Sequence, residues 1–196
     1  TIIGDFNEID RYLIPSDEFF NYLSEIKDKD HWYLADEKTT LIENYLKFWK
    51  QLPQLYNALY SSLISSKKGY QGLIYREAAN NIDTYLSTNN KTHIFIGFNA
   101  LNNAEQHIIQ QSIKKDCAEV FWDLDEVFYN DTFHDASHFI RSYYKNWKVF
   151  ENKQFNGGHN FSNKKDIASA KSYTYIISRF ALPEPQTSTV FFLSIL

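Results

Sequence analysis

Methionine is absent from the 196 residues, and cysteine occurs once, at Cys117. A single thiol excludes an internal disulfide framework and predicts a reducing, cytoplasmic setting. Glycine (6) and proline (4) are scarce, which disfavours many short strands joined by tight turns and predicts long helices. No apolar run approaches the roughly 18 residues of a membrane-spanning helix, so no membrane partner is expected. Positive charge is short as well: 20 Lys+Arg against 24 Asp+Glu leave a net charge of −4. That balance lacks the overall basic footprint of a free-standing nucleic-acid-binding protein. With no methionine and an opening Thr1-Ile2-Ile3, the sequence reads as a segment of a longer protein without initiator or signal peptide. Residues 190–196 read as a buried strand with nothing after it.

Rings are what the chain has in excess. Phe, Tyr and Trp make up 17% of it, roughly twice an ordinary share, which predicts a ring-rich core. Apolar positions recur at helical spacing over residues 16–26, with Ser16 as N-cap. Residues 31–34 suggest a short extended segment. Over 40–64 one stripe runs from Leu41 to Leu63, with Pro53 expected to kink or divide the helix. Lys67-Lys68-Gly69 closes it, a basic last turn followed by glycine. A further helix is expected over 72–86.

After Asn89-Asn90-Lys91 the pattern changes. Residues 93–98 and 118–122 read as buried strands, with a helix over 102–115 between them, which predicts a parallel, right-handed βαβ unit. Helices are expected at 132–147 and 166–180, and a last strand at 189–196. The fold class expected is therefore α/β, helix-dominated, with a small, largely parallel sheet and a helical subdomain.

Several groupings invite a chemical reading. An apolar strand running into Asp123-Leu124-Asp125 resembles the nucleophile motif of haloacid-dehalogenase-like phosphatases, but no later acidic pair follows an apolar strand to complete such a site. His134 and His138 have the i, i+4 spacing that zinc takes on a helix, with Asp131 one turn earlier. Cys117, after Lys114 and Lys115, reads as a surface thiol. No Gly-x-x-x-x-Gly-Lys-Ser/Thr phosphate loop occurs, and no cofactor is expected. Cations lie beside rings in three places: Lys47, Trp49 and Lys50; Lys67, Lys68 and Tyr70; and Arg141, Tyr144, Lys145, Trp147 and Lys148. Such clusters could stack bases and hold phosphates of DNA.

Three stretches carry a family likeness: Asp5-Phe6-Asn7-Glu8-Ile9-Asp10-Arg11-Tyr12-Leu13, Gly69-Tyr70-Gln71-Gly72-Leu73-Ile74-Tyr75-Arg76-Glu77-Ala78, and the run from Ile94 to Glu105. Together they resemble the N-terminal, helicase-like region of Bacteroidetes PD-(D/E)XK nuclease-family proteins, which are inactivated superfamily I helicases, and more distantly the AddB subunit of AddAB helicase–nucleases. The resemblance implies a P-loop-NTPase-like fragment of a DNA repair or recombination nuclease, with single-stranded or duplex DNA, or a partner helicase subunit, as its partners. It aligns Ile96 and Gly97 with the Asp-Glu pair that active motors use on magnesium and water. It further implies a 1B-like helical subdomain over 1–90, a 1A-like βαβ part over 91–150, a loop over 151–163 and the start of a second motor-like domain over 164–196. The rival readings are a protein-interaction module without a DNA role and a phosphatase using Asp123 and Asp125.

Overall fold

The computed structural model describes residues 1–32, 40–151, 153, 155 and 188–192. In chain order the elements are α1 (Ile2–Arg11), α2 (Ser16–Trp32), α3 (Thr40–Ser65), α4 (Gln71–Thr88), β1 (Thr92–Ile96), α5 (Asn103–Lys114), β2 (Ala118–Phe121), α6 (Glu126–Asn130), α7 (His138–Asn146) and β3 (Ser188–Phe192). Single 3-10 turns at Asp135–Ser137 and Lys148–Phe150 flank α7. The chain divides into two compact units, Thr1–Asn80 with Asn102–Ala104, and Asn81–Leu101 with Glu105–Leu196. The division falls inside α4 and not at the 89–91 turn, because the end of α4 belongs with the strands. Tyr85 hydroxyl pairs with His93 Nε2 at 3.2 Å, and Asp83 pairs with Lys115 at 3.0 Å.

The first unit is helical. Thr1 caps α1 by accepting from the Gly4 amide, and Phe6 and Ile9 point from α1 into a core with Phe20, Leu52 and Tyr56. Phe6 meets Phe20 and Tyr56 edge-on, at centroid distances of 6.0 and 5.1 Å, the geometry that ring quadrupoles favour. Two sequence expectations are corrected here, and one, on Pro53, is narrowed. Residues 31 and 32 complete α2 and are not extended, while 33 and 34 lie outside the described residues. Pro53 sits inside one helix and does not divide it. The α2 entry is capped by the Pro15 carbonyl, which accepts from the Phe19 amide at 3.0 Å, with Ser16 already helical.

Helix α3 closes two residues before its glycine, Gly69. The Lys68 amide donates to the Leu63 carbonyl and the Lys67 amide to the Ile64 carbonyl, a Schellman closure, and the left-handed residue is Lys67, at φ 54. The same closure recurs after α1 with Leu13 at φ 53 and after α5 with Asp116 at φ 53. A side chain in that conformation costs about 1–2 kcal/mol, against about 0.5–1 kcal/mol for glycine's extra freedom in the unfolded chain. Because Lys67 is exposed, Lys67→Gly is expected to stabilise by about 0.5–1 kcal/mol, read as a Tm rise of a few degrees. An unchanged or lower Tm would contradict the assignment.

The second unit is built on a three-stranded sheet of order β2-β1-β3. Both pairings are parallel, with Ile94 opposite Glu119 on one side and Val190 on the other. The central place of β1 follows from its sequence, since His93, Ile94 and Phe95 are all buried and a strand covered on both faces carries a continuous apolar run. Strand β3 joins this same sheet. The expected helix at 166–180 and the loop at 151–163 fall, but for 151, 153 and 155, outside the described residues. The ring-rich core comprises Phe95, Phe98, Trp122, Tyr143, Trp147 and Phe150 with the aliphatic Leu101, Ile109, Leu124 and Ile140. Among the described residues no helix is long and apolar enough to cross a membrane.

Candidate functional site

Parallel α/β sheets bind ligands outside the carboxyl ends of their strands, so that edge is where the site should be sought. Strand β1 leaves it through Gly97, whose φ of +74 lies in the left-handed region. The Gly97 amide still donates to the Phe121 carbonyl at 3.1 Å. The loop that follows is pinned by Tyr143, whose hydroxyl donates to the Asn99 carbonyl and accepts from the Leu101 amide, each at 2.8 Å. Tyr143 stacks on Trp147 at 4.7 Å, and Trp122 lies 5.5 Å from Tyr143. Burial pushes the Tyr143 phenol above its ordinary pKa of 10.0, so it remains a neutral donor through the physiological range.

Of the two acidic residues after β2, Asp125 is buried and caps α6, its Oδ1 accepting from the Val127 amide at 2.9 Å. Asp123 is exposed. The phosphatase-like pair is thus corrected: one carboxylate is committed to a helix start, and short polar side chains take that task readily. The histidine pair is corrected for a related reason. His134 is not helical. Its Nδ1 accepts from the Ala136 amide at 3.1 Å and its ring lies 4.8 Å from Phe128, while His138 opens α7. Asp131 accepts from the Phe133 amide at 2.9 Å. The 3-10 turn between the two imidazoles removes the shared helix face that i, i+4 ligation needs. No group of three or more His, Cys, Asp or Glu is placed to hold a metal among the described residues. Cys117 is half-buried, its Sγ donating to the Ser112 carbonyl at 3.3 Å.

The cation–ring clusters split into cations outside and rings inside. Lys145 and Lys148 are exposed, but Trp147 is 4% exposed and its Nε1 donates to Gln106 at 3.2 Å. Tyr144 stacks on Phe150 at 4.4 Å. Arg141 donates to the carbonyls of Phe128, Asp131 and His134. Lys67 and Lys68 are exposed, whereas the Tyr70 hydroxyl donates to Asp10. Lys47 is exposed, and Trp49 is half-buried, packing edge-on against Tyr45 and Phe48 at 5.8 and 5.6 Å. Trp147 and Tyr70 do not present free faces to a base; packing of large rings won over exposure.

One cluster escaped sequence reading. Asp10 is 0% exposed and takes hydrogen bonds from Tyr56 at 2.5 Å, from Tyr70, and from Arg76 Nε at 2.6 Å. The Arg76 guanidinium also donates to the Ile9 and Ile14 carbonyls, at 2.9 and 2.7 Å. Burial and the Asp10 carboxylate push the Tyr56 and Tyr70 phenols far up. Tyr60, which donates to Glu77, is pushed up to about 12 chiefly by that hydrogen bond. Every polar atom of the Asp10 carboxylate faces a donor, so the cluster is a satisfied structural network, and it ties α1 to α3 and to the start of α4. A groove of about 470 Å³ also opens in this unit, walled by Phe6, Phe19, Phe20, Leu23, Trp49 and Leu52, with Asp5 and Glu8 also lining it.

No protein-family model matches the chain, and no curated protein and no solved structure matches it either.

Proposed function

We propose that this chain is the non-catalytic, helicase-like portion of a DNA repair or recombination nuclease. It holds DNA or a partner motor in place while ATP hydrolysis and cleavage are carried out elsewhere. The observation that carries the reading is the end of β1. An active motor would need Asp and Glu where Ile96 and Gly97 stand, and Gly97 has a φ of +74, a conformation in which a side chain is strained. The backbone there suits a glycine and disfavours a water-activating glutamate. The occupants of the neighbouring edge support the same reading, because Trp122, Leu124 and Tyr143 are buried there and Asp125 is committed to capping α6.

With rings turned inward and lysines outward, DNA contact would be made to phosphates by Lys145 and Lys148 or by Lys67 and Lys68. Single-strand binding should then be weak, and log K should fall with log[salt] at a slope of about −1.5 to −3, as expected for two to four phosphates. Removing the pair that makes the contact, by Lys145→Ala with Lys148→Ala or by Lys67→Ala with Lys68→Ala, is expected to reduce the magnitude of that slope by about 1.4. Fluorescence anisotropy on an oligonucleotide across a salt series checks it. No binding at low salt would replace the DNA role with that of a protein-interaction module.

A further inference from the structure

Phe133 is 97% exposed, and the next most exposed large hydrophobic side chain among the described residues, Tyr22, is 65% exposed. A ring without packing neighbours among the described residues adds nothing to their fold, since its stabilising value comes from area removed from water. Yet the turn that presents it is tightly held. Asp131 Oδ1 accepts from the Phe133 amide itself. Arg141 gathers the carbonyls of Phe128, Asp131 and His134 at 3.1, 2.7 and 3.0 Å, and also donates to the Ser137 hydroxyl. The Ser137 hydroxyl in turn donates to the Phe128 carbonyl at 2.6 Å. The flanking helices add the half-exposed Val127 and Phe139. An aromatic held on a preorganised turn loses little freedom when it is buried by a partner, which is how binding anchors gain affinity.

The charge around it selects the partner. Residues 117–140 contain six carboxylates and neither lysine nor arginine, and Asp131 and Asp135 stand two residues to either side of Phe133. The nearest cation in sequence, Arg141, is engaged with the turn's own carbonyls. A phosphate backbone would be repelled here, and a cationic surface attracted. The apolar groove of this chain's own first unit is a poor counterpart, because Asp5 and Glu8 line it. We infer that the turn between α6 and α7 is a protein-docking knob, with Phe133 as anchor and, on the partner, an apolar pocket rimmed by lysine or arginine as its counterpart. This site does not depend on the helicase-like reading.

The test places the photoreactive residue p-benzoylphenylalanine at position 133 of the full-length protein in the cells that make it. The cross-linked residue on the captured protein is mapped by mass spectrometry, and the purified pair is then titrated. One dominant protein adduct is expected, at an apolar pocket flanked by Lys or Arg. Phe133→Ala should weaken the purified pair about tenfold or more with an unchanged Tm. Asp131→Asn with Asp135→Asn should weaken it and flatten its salt dependence, the asparagine at 131 retaining an acceptor for the Phe133 amide. Four results would overturn the inference: scattered or no protein adducts, an adduct to nucleic acid, an adduct of twice the full-length protein's mass, or a purified partner that binds Phe133→Ala as tightly as wild type.

Discussion

Replacing Gly72 by alanine is expected to unfold the first unit or to cost it at least about 3 kcal/mol, the upper range for overpacking. A Cβ at position 72 would stand 2.1 Å from the Asn7 carbonyl oxygen and 2.9 Å from its carbon. Both atoms are backbone in α1, so no flexible side chain can swing aside. Relief requires α1 and α4 to separate, and that breaks the Gly72 amide bond to Asn7 Oδ1, now 2.7 Å. It also strains the Arg76 bonds to the Ile9 and Ile14 carbonyls. Urea unfolding followed by far-UV circular dichroism reads the effect. A midpoint within error of wild type would show that the two helices are not in backbone contact.

The second large effect is expected at Asp10. Asp10→Ala leaves the Arg76 guanidinium without its carboxylate and two phenol groups without their acceptor, in a site where Asp10 is wholly buried and Arg76 nearly so. Breaking a buried pair from one side costs about 3–5 kcal/mol. Tyr70→Phe removes one donor of three and should cost about 1–2 kcal/mol. The same network sets an alkaline limit. Tyr56, Tyr60 and Tyr70 all have phenols raised above the ordinary 10.0, Tyr60 to about 12. Each is held neutral in the folded state, so its contribution is complete below pH 10 and is lost as pH rises, through about 12 for Tyr60. Denaturant midpoints should fall steeply above pH 10 in wild type and less steeply in Tyr56→Phe. Equal slopes would contradict the coupling.

The βαβ unit was legible because its signals are local: two short apolar runs, each bounded by polar turns, with an amphipathic helix of the right length between them. Helices α3 and α4 were legible for the same reason, down to their approximate ends. Helix α1 is less legible, although Ile2, Phe6 and Ile9 are spaced as one face. It is only 10 residues long, and short helices owe their stability to packing more than to their own pattern. Residues 31 and 32 look strand-like by ring content, but a helix already running through α2 extends over them. The His134 and His138 spacing failed because Asp131 and His134 each capture a nearby amide, a local competition with helix that counting by fours does not register. The Asp10 network is the least legible part of the molecule. Its partners lie 46, 60 and 66 positions away, and an aspartate in a polar stretch gives no sign of being buried. Cations beside rings were readable as pairs, but not the direction in which each ring turns.

The most direct test is a calorimetric titration of this chain with ATP and magnesium. On the proposed helicase-like reading, the left-handed Gly97 at the end of β1 stands where a motor would carry its catalytic acid, and Asp125 caps α6. Tight nucleotide binding needs a phosphate cradle and a magnesium carboxylate set together. The expected result is no heat of binding up to millimolar ATP, with or without magnesium, from a chain that is folded by circular dichroism. Micromolar, magnesium-dependent binding that is lost on Asp123→Asn would contradict the account.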